Sequence, residues 1–158
     1  MAYEDHKHVT AMSVKMHAKI SQDENGSLHG ELDSRYFEEP FTFNNIMSMI
    51  EVMETTFDTK GFPEKQLLPR TFGKAKQRLR KHELDLPAFV KEHSTVKEFV
   101  DSQDQQQIKT KTCNFEISVR FRHNAEWQGS IKWIEKDETK QFSSIVEFVR
   151  QVNDALAE

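Results

Sequence analysis

The sequence predicts an α+β protein of two tandem β-β-β-α units, each an antiparallel hairpin plus a short strand under one covering helix, related by an approximate internal twofold. Three observations carry that prediction. Phe115, Ile117, Val119 and Phe121 alternate with Glu116, Ser118, Arg120 and Arg122, the period of a strand with one buried face. Later in the chain, Ile145, Phe148, Val149, Val152 and Leu156 recur at helical spacing behind Ser144 and Glu147, a capping-box pair. The whole pattern then overlays an earlier stretch without a gap, at a shift of 129 − 30 = 99 residues.

The first unit spans residues 1–61. In the shared register Ile20 meets Val119, Leu28 meets Trp127, Gly30 meets Gly129 and Leu32 meets Ile131, which places the first hairpin. Phe43 falls on Phe142 and marks a short third strand. Asn45 takes the cap position, and Ile46, Met49, Ile50, Met53 and Phe57 form the buried stripe of the first helix.

Residues 62–112 do not repeat and are expected to form a basic, partly helical connector. Between Phe62 and His82 stand Lys65, Arg70, Lys74, Lys76, Arg78, Arg80 and Lys81 against Glu64 alone. A helix from about Phe72 to Lys81 would cluster these charges, and Arg70, Lys74, Lys76, Arg78, Arg80 and Lys81 are candidate contacts to nucleic acid or an acidic partner. The stretches LPAFVKEH and STVKEFVDS read as short helical turns, and DSQDQQQIKTKT reads as a polar linker.

The second unit covers residues 113–158. Pairing Phe121 with Trp127 across the turn puts Val119 opposite Gly129, Ile117 opposite Ile131 and Phe115 opposite Trp133, so both tryptophans face inward. Gly129 then leaves a gap that a helix side chain such as Phe148 can approach. The outer face carries Glu116, Ser118, Arg120, Arg122, Gln128, Ser130 and Lys132, of which Arg120, Arg122, Gln128 and Lys132 are candidate contacts to a partner.

Within this unit, Asn124, Ala125, Trp127, Gln128 and Gly129, then Trp133, then Phe142, Ser144 and Glu147 form the pattern N-A-x-W-Q-G, an aromatic, and F-x-S-x-x-E. In this the segment resembles small uncharacterised bacterial proteins, mainly of Firmicutes, with the same hairpin and terminal helix. The resemblance covers residues 113–157 or so and implies a real structural unit in a bacterial protein. It carries no activity and no functional residue across.

Composition narrows the function classes. With 158 residues, 36% hydrophobic and 12 Phe, the chain can bury a core. Its 22 basic and 26 acidic residues leave a net charge of −4, so any attraction for nucleic acid or anionic lipid must be local. Cys113 is the single cysteine, which excludes an intrachain disulfide framework and predicts a half-buried thiol at the entrance to a strand. The opening MAYEDHKH lacks the apolar run of a signal peptide, and the expectation is a soluble, cytoplasmic protein with no membrane contact.

His6, His8, His17, His29, His82, His93 and His123 form neither an HExxH motif nor a Cys/His cluster, so no metal is expected. There is no GxxxxGK[ST], GxGxxG or GxSxG, and Glu38 and Glu39 read as part of a solvated turn. No nucleophile, base and orienter can be assembled, and no cofactor is implied. The sequence thus points to a non-enzymatic adaptor or regulatory module that binds another protein. Nucleic-acid binding through the basic connector is the alternative, and the covering helices offer a surface for a homodimer without any heptad to argue it.

Overall fold

The computed structural model describes residues 14–66, 84–95, 111–124 and 126–158. In chain order the elements are β1 (Met16–Gln22), β2 (Leu28–Asp33), β3 (Phe41–Phe43), α1 (Ile46–Lys60), β4 (Lys65–Gln66), α2 (Leu86–His93), β5 (Thr112–His123), β6 (Gln128–Trp133), β7 (Glu138–Phe142) and α3 (Ile145–Ala157). The fold is α+β. The helix expected over residues 72–81 lies outside the described residues, as does most of the stretch after Thr95.

The strands do not form two units. β1 pairs antiparallel with β5, from Met16 opposite Ile117 to Ser21 opposite Thr112, and this fuses six strands into one antiparallel sheet in the order β3-β2-β1-β5-β6-β7. Two separate three-stranded units would each leave a row of unpaired N–H and C=O groups on β1 or β5. Joining them satisfies both rows. Alternation along a strand reports which face is buried and says nothing about which strand lies alongside, so the seam was invisible in the sequence.

The 99-residue offset reappears within the single sheet. Ile20 lies opposite Gly30, and Gly30 opposite Phe43; Val119 lies opposite Gly129, and Gly129 opposite Phe142. Part of the expected connector also joins the fold: β4 lies parallel to Arg122 and His123, at the end of β5 beyond the reach of β1. α2 coincides with LPAFVKEH, is capped by Asp85, and buries Leu86 and Val90. Just after it, Thr95 N–H donates to the Thr42 carbonyl at 2.8 Å and so covers part of the β3 edge.

Each long helix starts where its cap was expected. The Asn45 side chain accepts from Ser48 N–H at 2.9 Å, and the Ser144 hydroxyl accepts from Glu147 N–H at 3.0 Å. The Glu147 carboxylate reaches one residue further back than a capping box requires, accepting from the Ser143 N–H at 2.9 Å. The buried stripe of α1 is broader than the sequence suggested, because Val52 and Thr56 join Met49, Ile50, Met53 and Phe57. Thr56 enters without an orphaned hydroxyl, since it donates to the Val52 carbonyl at 2.7 Å.

Both tryptophans are buried, and Trp127 holds the centre of the core against Phe57 and Phe148, with ring centroids 5.8 and 5.7 Å away. The strand glycines serve a different purpose from the one expected. A β-carbon on Gly129 would sit 2.0 Å from the Ser118 carbonyl oxygen, and one on Gly30 would sit 1.9 Å from that of Lys19. The space is taken by the backbone of the neighbouring strand, not by a helix side chain such as Phe148.

Gly129→Ala and Gly30→Ala should therefore each cost about 2 kcal/mol or more in urea denaturation, because rigid backbone must move. Gly61→Ala, at the left-handed C-cap of α1 with nothing within 4 Å, should cost only about 1 kcal/mol. A Gly129→Ala protein as stable as the parent would refute the close strand approach.

Candidate functional site

The register of β5 against β6 breaks after Val119. Val119 lies opposite Gly129, but the next pair is Phe121 with Gln128, so β5 carries one extra residue, a β-bulge. The bulge exchanges the two sides of the strand. Phe121, expected to face Trp127, is 64% exposed, and Arg122, expected on the outer face, is 2% exposed. A perfect alternation in sequence does not reveal an inserted residue.

A buried guanidinium requires partners, and Arg122 has them. Its Nε donates to the Pro63 carbonyl at 2.7 Å, and its Nη1 donates to Asp58 Oδ1 at 2.7 Å and to Glu54 Oε2 at 3.0 Å. The guanidinium carbon also stands 5.5 Å from the centre of the Phe57 ring. The other Glu54 oxygen accepts from the Trp127 indole N–H, and Lys65 Nζ lies 4.0 Å from Glu54. Glu54 and Asp58 are four residues apart on α1 and so share a face. This cluster ties a helix of the first half to a strand of the second.

The opposite face of the sheet is polar, with Ser118 buried and Glu116, Gln128, Ser130 and Lys132 half-exposed around it. On it, Ser118 lies opposite Ser130 and Glu116 opposite Lys132, with Phe121 opposite Gln128 at the bulged end. Most of its charges are already engaged. Lys15 Nζ lies 2.6 Å from Glu116, and Lys132 Nζ lies 2.8 Å from Asp137. Gln128 closes the hairpin, accepting from His123 N–H at 3.0 Å. Arg120 is exposed and has no ion-pair partner among the described residues.

Of the four outer-face candidates, Arg120 alone therefore presents an uncommitted charge there, while Arg122 is inside and Gln128 and Lys132 serve the protein's own structure. Arg70, Lys74, Lys76, Arg78, Arg80 and Lys81 lie outside the described residues. Sequence reasoning missed Phe121 as a surface residue and Glu54 and Asp58 as partners of a buried cation. The only available signal was an acidic pair at i and i+4 beside an apolar stripe, and that pair names no particular arginine.

The carboxylates around the sheet are tuned mainly by hydrogen bonds. The Lys15 ammonium holds Glu116 below the ordinary carboxylate range, and the Lys132 ammonium does so for Asp137, which in turn pushes Lys132 up. Burial works to raise Glu135, but hydrogen bonds from the Asn114 side chain and backbone outweigh it and leave the group lowered. The Ser143 N–H and hydroxyl lower Glu147. Cys113 is fully buried, not half-buried as expected, and burial pushes its thiol up, away from the reactive thiolate.

Among the described residues, no group of three or more His, Cys, Asp or Glu side chains is placed to hold a metal ion, and no helix is long and apolar enough to cross a membrane. No family model, curated protein or solved structure matches the chain.

Replacing Arg122 by Ala leaves Glu54 without its main cation and should cost about 3 kcal/mol in chemical denaturation. Asp58→Ala should cost less than about 1 kcal/mol, because that side chain is 55% exposed. Equal losses would contradict the burial pattern. The lowered carboxylates bind protons more weakly in the folded chain than in the unfolded one, so their stabilisation is present above the ordinary carboxylate value and disappears as pH falls through their folded values. Melting temperature should accordingly decline below about pH 4.3, and Glu135→Gln should flatten that decline. A melting temperature constant down to pH 3 would contradict this, where about 3 lies below the ordinary carboxylate value.

Proposed function

We propose that the protein is a non-enzymatic module of the bacterial cytoplasm that binds another protein through the bulged end of the polar face of its sheet. The observation that carries this reading is the exposed Phe121 beside the uncommitted Arg120 at the bulged end of that face. Aromatic residues and arginine are the side chains enriched in protein interfaces, where the aromatic fills a pocket and the guanidinium fixes orientation. A bulge at an exposed strand end is a common device for re-aiming such a side chain. The partner this pair fits offers an apolar pocket edged by a carboxylate.

The neighbouring polar residues support the same reading. Lys132 is already paired with Asp137 and Glu116 with Lys15, so the charges nearest the anchor have partners within the molecule and the aromatic and Arg120 are left to meet the partner. Nucleic-acid binding is the second reading and rests on the basic run from Arg70 to Lys81.

A photocrosslinking phenylalanine analogue placed at position 121 tests the proposal in a native lysate, with position 146, equally exposed on α3, as the control. Discrete protein adducts at 121 that disappear with Arg120→Glu and persist after nuclease treatment are expected. Adducts no stronger than at 146 would overturn the reading. Loss of the adducts after nuclease treatment would favour nucleic acid, which also predicts a mobility shift that weakens steeply with salt and with alanine at Arg70, Lys74, Lys76, Arg78, Arg80 and Lys81.

A further inference from the structure

We propose that one internal water molecule is a fixed part of this fold, bridging the Trp133 indole to the Gln151 carboxamide where α3 meets the β6–β7 edge. Trp133 is 8% exposed, and its buried Nε1–H meets no hydrogen-bond acceptor among the described residues. The Gln151 side-chain oxygen is also buried and meets no donor among them. Turning the amide over does not rescue it, because Nε2 donates to the Gln141 carbonyl at 2.8 Å and an oxygen there would face another oxygen. The orientation is therefore fixed, and a donor and an acceptor are left over.

Both residues line the same small pocket, together with Phe115, Ile131, Ala155, Glu138 and Lys140, whose ammonium lies 3.5 Å from the Glu138 carboxylate. The pocket's volume, about 20 Å³, leaves room for one water. A water needs roughly 10–15 Å³ of such space and at least two polar partners, and both are present. The water accepts from Trp133 and donates to Gln151, and its second hydrogen is free for Glu138. Leaving the two groups unpaired instead would incur the desolvation penalty twice.

The alternative is a direct contact from the indole to Glu135, which lies near enough for the Trp133 N–H to help lower its carboxyl. The two arrangements differ in what each variant changes. The water places the coupling partner on α3, at Gln151. The direct contact places it in the turn after β6.

Water-selective cross-relaxation spectra of ¹⁵N-labelled protein distinguish them, with the Trp127 indole, which donates to Glu54, as the internal reference. The Trp133 indole proton should show a cross-peak to water with the sign of a long-lived contact, and Trp127 should show none. Gln151→Leu should abolish that cross-peak in an otherwise unchanged spectrum, and Glu135→Gln should leave it in place. No water cross-peak at Trp133, one that survives Gln151→Leu, or a large indole shift on Glu135→Gln alone would overturn the proposal. Should Gln151→Leu fail to fold, crystallographic density within hydrogen-bond reach of both atoms in the parent protein decides the matter, and its absence refutes the water.

Discussion

The Arg122 guanidinium, clasped by Glu54, Asp58 and the Pro63 carbonyl, depends on the extra residue in β5, and the extra residue depends on it. Without the bulge, Phe121 would enter the core beside Trp127 and the arginine would face water, an arrangement with ordinary apolar burial and no buried charge. The bulged arrangement persists because every strong donor direction of the guanidinium used here ends on an acceptor. Its consequence is an aromatic ring on the solvent side.

That exchange links local geometry to the rest of the fold. Glu54 and Asp58 stand on α1, which covers the first half of the sheet, while Arg122 and Trp127 belong to the second. The β1–β5 seam joins the halves through backbone hydrogen bonds, and the arginine cluster joins them through side chains on the helix-covered face. β4 adds a third connection at Arg122 and His123. The seam and the arginine cluster, to which β4 adds at Arg122, tie the two halves of the sheet together through backbone and side chains alike.

Much of the secondary structure was legible from residues alone. The caps at Asn45 and Ser144, the stripes of α1 and α3, the inward tryptophans and the short helix at LPAFVKEH all follow from local chemistry, where the signal lies within one turn or one strand. What escaped notice was non-local. The seam between β1 and β5 pairs residues about a hundred positions apart, and no periodicity encodes it. The glycines marked a tight place correctly, but whether backbone or side chain fills it is a property of the neighbouring strand. For the candidate site, Arg120 was legible as an exposed base, whereas Phe121 and Arg122 were assigned to each other's sides because one inserted residue inverts an otherwise perfect alternation.

The outer face gains its character from this inversion, which sets Phe121 beside Arg120 while Glu116 and Lys132 are paired with Lys15 and Asp137. Solution NMR distinguishes the two arrangements of β5 most directly. The account predicts contacts between the Arg122 side chain and the Phe57 ring, a slowly exchanging Arg122 Nε–H, and a Phe121 ring broadened by a soluble paramagnetic agent. Contacts from Phe121 to Trp127, with an Arg122 guanidinium that exchanges freely with solvent, would contradict it.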